Sequence, residues 1–151
     1  MVDRDLIDAI RETIAKVSGL SQLSDPQAVK LLDALAKRNV ADPTQIWWWT
    51  NLTVDHETIP YGERDGLDEV ARLVPPQTIA LMVVTDDEPR PWPVFSGVIS
   101  DLLAALREVR FCEYFLIDPD FKWLVFDTHH NALVVVGSLI GKAKQTENSN
   151  L

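Results

Sequence analysis

Apolar positions near the start of the chain recur at helical spacing. Leu6, Ile7, Ile10, Ile14 and Val17 form one stripe, and Gly19 ends it. Asp25-Pro26 then offers an N-cap followed by proline at the first helical position. Val29, Leu32, Leu35 and Ala36 form the stripe of this second helix, which Asn39 or the Asp42-Pro43 pair closes. Residues 46–52, Ile-Trp-Trp-Trp-Thr-Asn-Leu, are rich in strand formers and lack a helical stripe. Strand alternation puts Trp47 and Trp49 on one face and Trp48 on the other, either buried or offered to a partner. Six acids against Arg64 over residues 55–69, with Pro60 and two glycines, mark a surface loop that leads into a short helix at 67–74. Pro75-Pro76 stops that helix.

A near-continuous apolar run at 78–84 predicts a central strand, and the proline-rich loop at 85–93 extends away from it. Ser96 can cap the next helix, whose stripe is Val98, Ile99, Leu102, Leu103, Leu106 and Val109. Residues 111–117, 121–126 and 132–136 read as a three-stranded meander. Its turns are Asp118-Pro119-Asp120 and the segment Asp127-Thr128-His129-His130-Asn131. The order is therefore α-α-β-α-β-α-β-β-β: an α+β protein with a mixed or antiparallel sheet of about five strands and helices packed on it. Residues 1–141 form one domain, and a polar tail at 142–151 frays.

At 151 residues, 46% of them hydrophobic, the chain is long enough to bury a core. Its net charge of −9 repels phosphate backbones and anionic lipid, which disfavours nucleic acid and membrane surfaces and favours a basic protein or a small molecule. Cys112 is the one cysteine, so no internal disulfide is possible, and its apolar segment suits a small buried hydrophobe. The charged start and the lack of a long apolar run point to the cytoplasm.

Candidate chemistry gathers in the meander. If the Asp118–Asp120 turn pairs Ile117 with Phe121, Phe115 faces Trp123, Glu113 faces Val125 and Phe111 faces Asp127. Glu113 and Asp127 are then diagonal neighbours, about 7–8 Å apart at the backbone, at the strand end that carries His129 and His130. Carboxylates beside imidazoles suit a general acid and base, or a metal centre. The bland alternative has Asp127 and Asn131 bonding turn amides, with the histidines capping the turn. There is no Gly-rich phosphate loop, no G-x-S-x-G and no Cys-x-x-Cys, and no cofactor is implied. His56 reads as solvated. Partner-binding candidates are Trp48, Trp92 and the acids Asp55, Glu57, Asp65 and Asp68, the acids forming an electrostatic landing strip.

The residues Phe111-Cys-Glu-Tyr, then Trp123-Leu, then the His129-His130 pair resemble the C-terminal signature F-x-E-Y…W-L…H-H of a bacterial family of unknown function, preceded there by a helix like the one at 96–110. The resemblance carries over Glu113, Tyr114, Trp123, His129 and His130. It departs at Asp127-Thr128, where the family pattern has Glu-Asn, and it brings no activity with it. In type, small acidic α+β proteins of this kind are similar to immunity proteins that neutralise a toxin. The sequence thus leaves two readings. The preferred one is a non-catalytic, immunity-like binding protein for a basic partner. The other is a small metal-dependent or acid–base hydrolase that uses Glu113, Asp127, His129 and His130.

Overall fold

A computed structural model describes residues 1–144; of the tail expected at 142–151, residues 145–151 lie outside them. Four α-helices are described: α1 (Arg4–Ala15), α2 (Asp25–Asn39), α3 (Gly66–Leu73) and α4 (Ile99–Arg107). Seven strands accompany them: β1 (Ser21–Gln22), β2 (His56–Pro60), β3 (Ile79–Val84), β4 (Val94–Val98), β5 (Tyr114–Ile117), β6 (Trp123–Thr128) and β7 (Ala132–Gly137). They form one sheet in the order β1-β4-β3-β5-β6-β7-β2, with every neighbouring pair antiparallel. The α+β class holds, while the strand count rises from about five to seven. None of the described helices is long and apolar enough to cross a membrane.

The first two helices form where the stripes place them. Asp3 caps α1, and Leu6, Ile10 and Ile14 are buried. α2 starts one residue earlier than expected, because Ser24 and Gln27 satisfy each other's backbone N–H groups in a capping box. Val29 falls outside the buried stripe and is exposed.

Three local expectations give way to tertiary pairing. Residues 46–52 do not form a strand: Trp48–Thr50 is a 3-10 turn, tied locally by the Thr50 hydroxyl on the Trp47 carbonyl and by Asn51 on Asp42. β2 arises within the expected acidic loop as an outer strand that, among the described residues, pairs with β7, a place where its terminal Pro60 is tolerated. Ser96 does not cap a helix. It pairs with Leu81 and Ser21 inside β4, and α4 begins at Ile99, whose N–H reaches the Thr78 carbonyl instead of a side-chain cap. Val94 and Phe95 are both fully buried, so β4 is covered on two sides there.

The meander forms with a register that differs from the expected one by three residues. Asp118 accepts N–H bonds from Asp120 and Lys122, and Phe121 takes a left-handed φ of 60°. That longer turn pairs Ile117 with Leu124, Phe115 with Phe126 and Tyr114 with Asp127. An odd shift exchanges the two faces of a strand. Tyr114 therefore shares a face with Asp127, and the face occupied by Phe115 and Phe126 is the other one.

Helices α3 and α4 lie over β7 and over β3 and β4, and α1 packs on α4. Trp48 and Trp92 cover Phe115 on the opposite side, with ring centroids 6.0 and 6.1 Å from it. One continuous cluster of buried side chains links the helices to the sheet.

Candidate functional site

Three turns meet beside the N-terminal end of β5. The loop after β3 is tied to residue 113 by the Thr85 and Asp86 N–H groups and the Thr85 hydroxyl, all of which donate to the Glu113 carbonyl. Asp86 and Asp87 both adopt left-handed φ values, 49° and 57°, and the Glu88 N–H closes the turn on the Thr85 carbonyl. Two successive left-handed residues closed by that bond make a type I′ turn, whose central positions aspartate tolerates at some backbone cost. Arg110 grips the Asp86 carboxylate with one guanidinium nitrogen on each oxygen, at 3.1 and 2.7 Å, and Asp87 is aimed the other way. The β6–β7 turn supplies His129: Thr128 donates to the Ala132 carbonyl, and Asn131 takes the left-handed position that closes a three-residue loop. The 3-10 segment supplies Trp47 and Trp49.

At the centre is Glu113, 4% exposed. Its Oε2 lies 2.9 Å from His129 Nδ1, and its Oε1 accepts the Trp49 indole N–H at 2.8 Å. Asp87 Oδ1 stands 3.5 Å from the same His129 nitrogen and accepts the Trp47 indole N–H at 2.8 Å. The rings of Trp47 and Trp49 lie 5.1 and 5.5 Å from that of His129, and the His130 ring, tilted by 47°, lies 4.3 Å from it. Burial, and then the neighbouring Asp87, push the Glu113 carboxyl up to about 7, against the pull of His129 and Trp49. Contact with that carboxyl, then with Trp47 and His129, holds Asp87 below the usual carboxylate range. The surroundings thus drive the two neighbouring carboxyls in opposite directions, Glu113 upward and Asp87 downward. Behind Glu113 the packing leaves about 10 Å³, the space of one water at most, so the site opens outward past the partly exposed Asp87 and His129.

Asp127 is not part of this corner. It lies on the other face, 2% exposed, accepting the Tyr61 hydroxyl at 2.6 Å on Oδ1 and the Tyr114 hydroxyl at 2.9 Å on Oδ2. Burial raises its carboxyl despite the two phenols, and burial followed by Asp127 pushes both phenols above their ordinary range. The α3 N-terminus presses on this network, since a Cβ at Gly66 would strike the Asp127 carboxylate and the Tyr61 oxygen. The expected set of four therefore separates. Glu113, His129 and His130 come together, Asp127 joins two tyrosines, and the turn-amide role expected of Asp127 is absent because its oxygens are taken by phenols.

The partner candidates scatter as well. Trp48 and Trp92 are core residues, their indole N–H groups bound to the Pro43 and Glu88 carbonyls, so neither offers a docking surface. Arg107 holds both Asp65 and Asp68, at 3.0 and 2.6 Å, and Glu57 accepts the Gly141 N–H, which leaves Asp55 as the uncommitted acid of the four. His56 is exposed as expected. Cys112 is buried, its thiol pushed up to about 12 mainly by burial, which suits an inert hydrophobe. Sequence reasoning missed Asp87, Trp47, Trp49 and Tyr61. The one signal within reach was that Trp47 and Trp49 share a side, an alternation that survives although the strand does not.

A cavity of about 500 Å³ lies elsewhere, between α1, α2 and the proline-rich loop. Its lining is mainly apolar, and Arg90 beside it is held by Asp33 and stacked over Trp48. The chemistry is at the corner instead.

Fold and corner together define an α+β protein on a seven-stranded antiparallel sheet, with a carboxylate–imidazole cluster at one rim. The chain belongs to the family of unknown function DUF6756, whose model matches residues 9–147, a span that takes in the whole corner and the Asp127 network. No curated protein and no solved structure matches the chain.

Proposed function

We infer that the Asp87–Glu113–His129 corner is the working site of a small hydrolase. The observation that carries this reading is the 2.9 Å contact between a buried glutamate and an imidazole, with a second acid brought alongside by a backbone turn of two left-handed aspartates. Strained turns of that kind persist where the surrounding structure over-determines them, and they cluster at functional sites. In the reaction, a water oxygen bonds to an acyl carbon or a phosphorus, and its proton passes to the imidazole of His129 or His130. The bond to the leaving oxygen breaks, and that proton moves on to it. Glu113 and Asp87 orient His129 and balance the charge it gains. Chromogenic carboxylic esters, phosphomonoesters and phosphodiesters test the reading at neutral pH. One class is turned over, and Glu113→Gln or His129→Gln lowers the rate by at least about 100-fold while circular dichroism is unchanged. A wild-type protein inert on all three classes, or full activity in the folded variants, overturns it.

A second reading keeps the basic partner. Asp55 and Glu63 are exposed in the segments before and after the outer strand β2, whose outer edge pairs with no other strand among the described residues. Neutralising them with Asp55→Asn and Glu63→Gln then abolishes a salt-sensitive capture of one basic protein from native lysate. This reading fails if nothing co-purifies specifically, or if the variant captures the partner equally well.

A further inference from the structure

We propose that Asp87, Glu113 and His129 form a binding site for one divalent transition-metal cation of the zinc, cobalt or manganese class. The inference names a cofactor for the corner; it rests on the hydrolase reading for the use of that cation, not for its binding. The three side chains each offer one ligand atom, and these atoms all lie within 4.8 Å of one another. Around a cation with bonds of about 2.1 Å, ligand atoms stand about 3.0 Å apart at right angles and about 3.4 Å apart at the tetrahedral angle. His129 Nδ1 lies 2.9 Å from Glu113 Oε2 and 3.5 Å from Asp87 Oδ1, so both distances from the imidazole already match.

The donor set selects the class. One imidazole and two carboxylates suit a borderline cation, whereas calcium takes six to eight oxygens, far more than three side chains supply here. The surroundings have the form of an outer coordination layer. Trp49 fixes Glu113 through Oε1 and leaves Oε2 toward the imidazole, and Trp47 fixes Asp87. The ligands come from three separate turns of one sheet end, so the backbone and not a flexible loop sets their spacing. A simple ion pair accounts for Glu113 and His129. It does not account for Asp87, which is brought in by two consecutive left-handed residues. Asp87 and His129 are partly exposed, so water can fill the remaining positions, the arrangement of an open site. Such a cation would acidify a bound water, and His130, its ring 4.3 Å from that of His129, would be the nearby imidazole to take the proton.

The test uses the full chain stripped with a chelator, titrated with zinc alone by calorimetry and with cobalt alone by visible absorption. One equivalent binds, cobalt gives the intense bands of a low-symmetry site, and Asp87→Asn or His129→Gln weakens zinc affinity by at least about 10-fold. Asp87 is half exposed, so Asp87→Asn keeps the test sound should a Glu113 variant fail to fold. Absence of heat and of a cobalt spectrum overturns the proposal, as does unchanged affinity in the double variant Asp87→Asn/His129→Gln. Metal binding without turnover of any ester class sinks the hydrolase reading and leaves the site standing. Turnover that persists in stripped protein, with no metal bound, does the reverse.

Discussion

Two phenols serve Asp127, and each occupies a different oxygen of the same buried carboxylate. Removing one donor strands an acceptor that water cannot reach, a loss of about 1–3 kcal/mol. Tyr61→Phe and Tyr114→Phe are each expected to lower the unfolding free energy measured in urea to that extent. The double variant should depart from the sum of the two, because both side chains share one partner. Additive losses would mean that Asp127 is not the common point. At this scale the sequence was half legible. Glu113 stands out as a polar residue in an apolar segment, and the histidine pair as the imidazoles of the turn beside it. Asp87 does not, because its approach depends on a turn far from Glu113 in the chain. Asp127 was assigned to the wrong partners because its face depends on a turn that is longer than its Asp-Pro signature suggests.

The meander's register is held at its far end by Gly137. It takes a φ of +75°, and the Lys122 carbonyl packs where a Cβ would be. Gly62 also has a positive φ, 60°, but open space around it. Gly137→Ala should therefore destabilise by clearly more than about 1 kcal/mol, and Gly62→Ala by less, when both are measured by thermal or urea unfolding. Equal effects would show that the Lys122 contact carries no weight. Helices α1, α2 and α3 and the strands β3, β5, β6 and β7 were readable from stripes, caps and apolar runs. β1, β2 and β4 were not. β2 lies in an acidic segment and ends in Pro60, and its outer position makes that sequence acceptable as a strand. β4 runs directly into α4, and its Val94–Val98 segment suits either period until β3 offers it a pairing edge. The three tryptophans mislead because their strand propensity is outweighed by local turn bonds and by the burial of Trp48.

Across the whole molecule, several protons are held inside longer than an unfolded chain would hold them. Cys112, with an ordinary value of 9.0, is pushed up to about 12, and Tyr61 and Tyr114 rise from 10.0. Raised folded-state values add stability that is fully present below the ordinary values and is lost as pH climbs toward the raised ones. The urea midpoint should thus fall steeply from about pH 9 upward. Tyrosinate absorbance from these two phenols should appear together with unfolding and not before it. A flat midpoint across that interval, or early ionisation of both phenols in folded protein, would contradict the burial of this network.

Trp47, 40% exposed, and Trp49 both lie against His129, while Trp48 and Trp92 sit in the interior. Indole emission is quenched by a protonated imidazole and by paramagnetic ions at such range. The rim therefore carries its own fluorescent reporter, and whatever settles there should change the protein's light without any added dye.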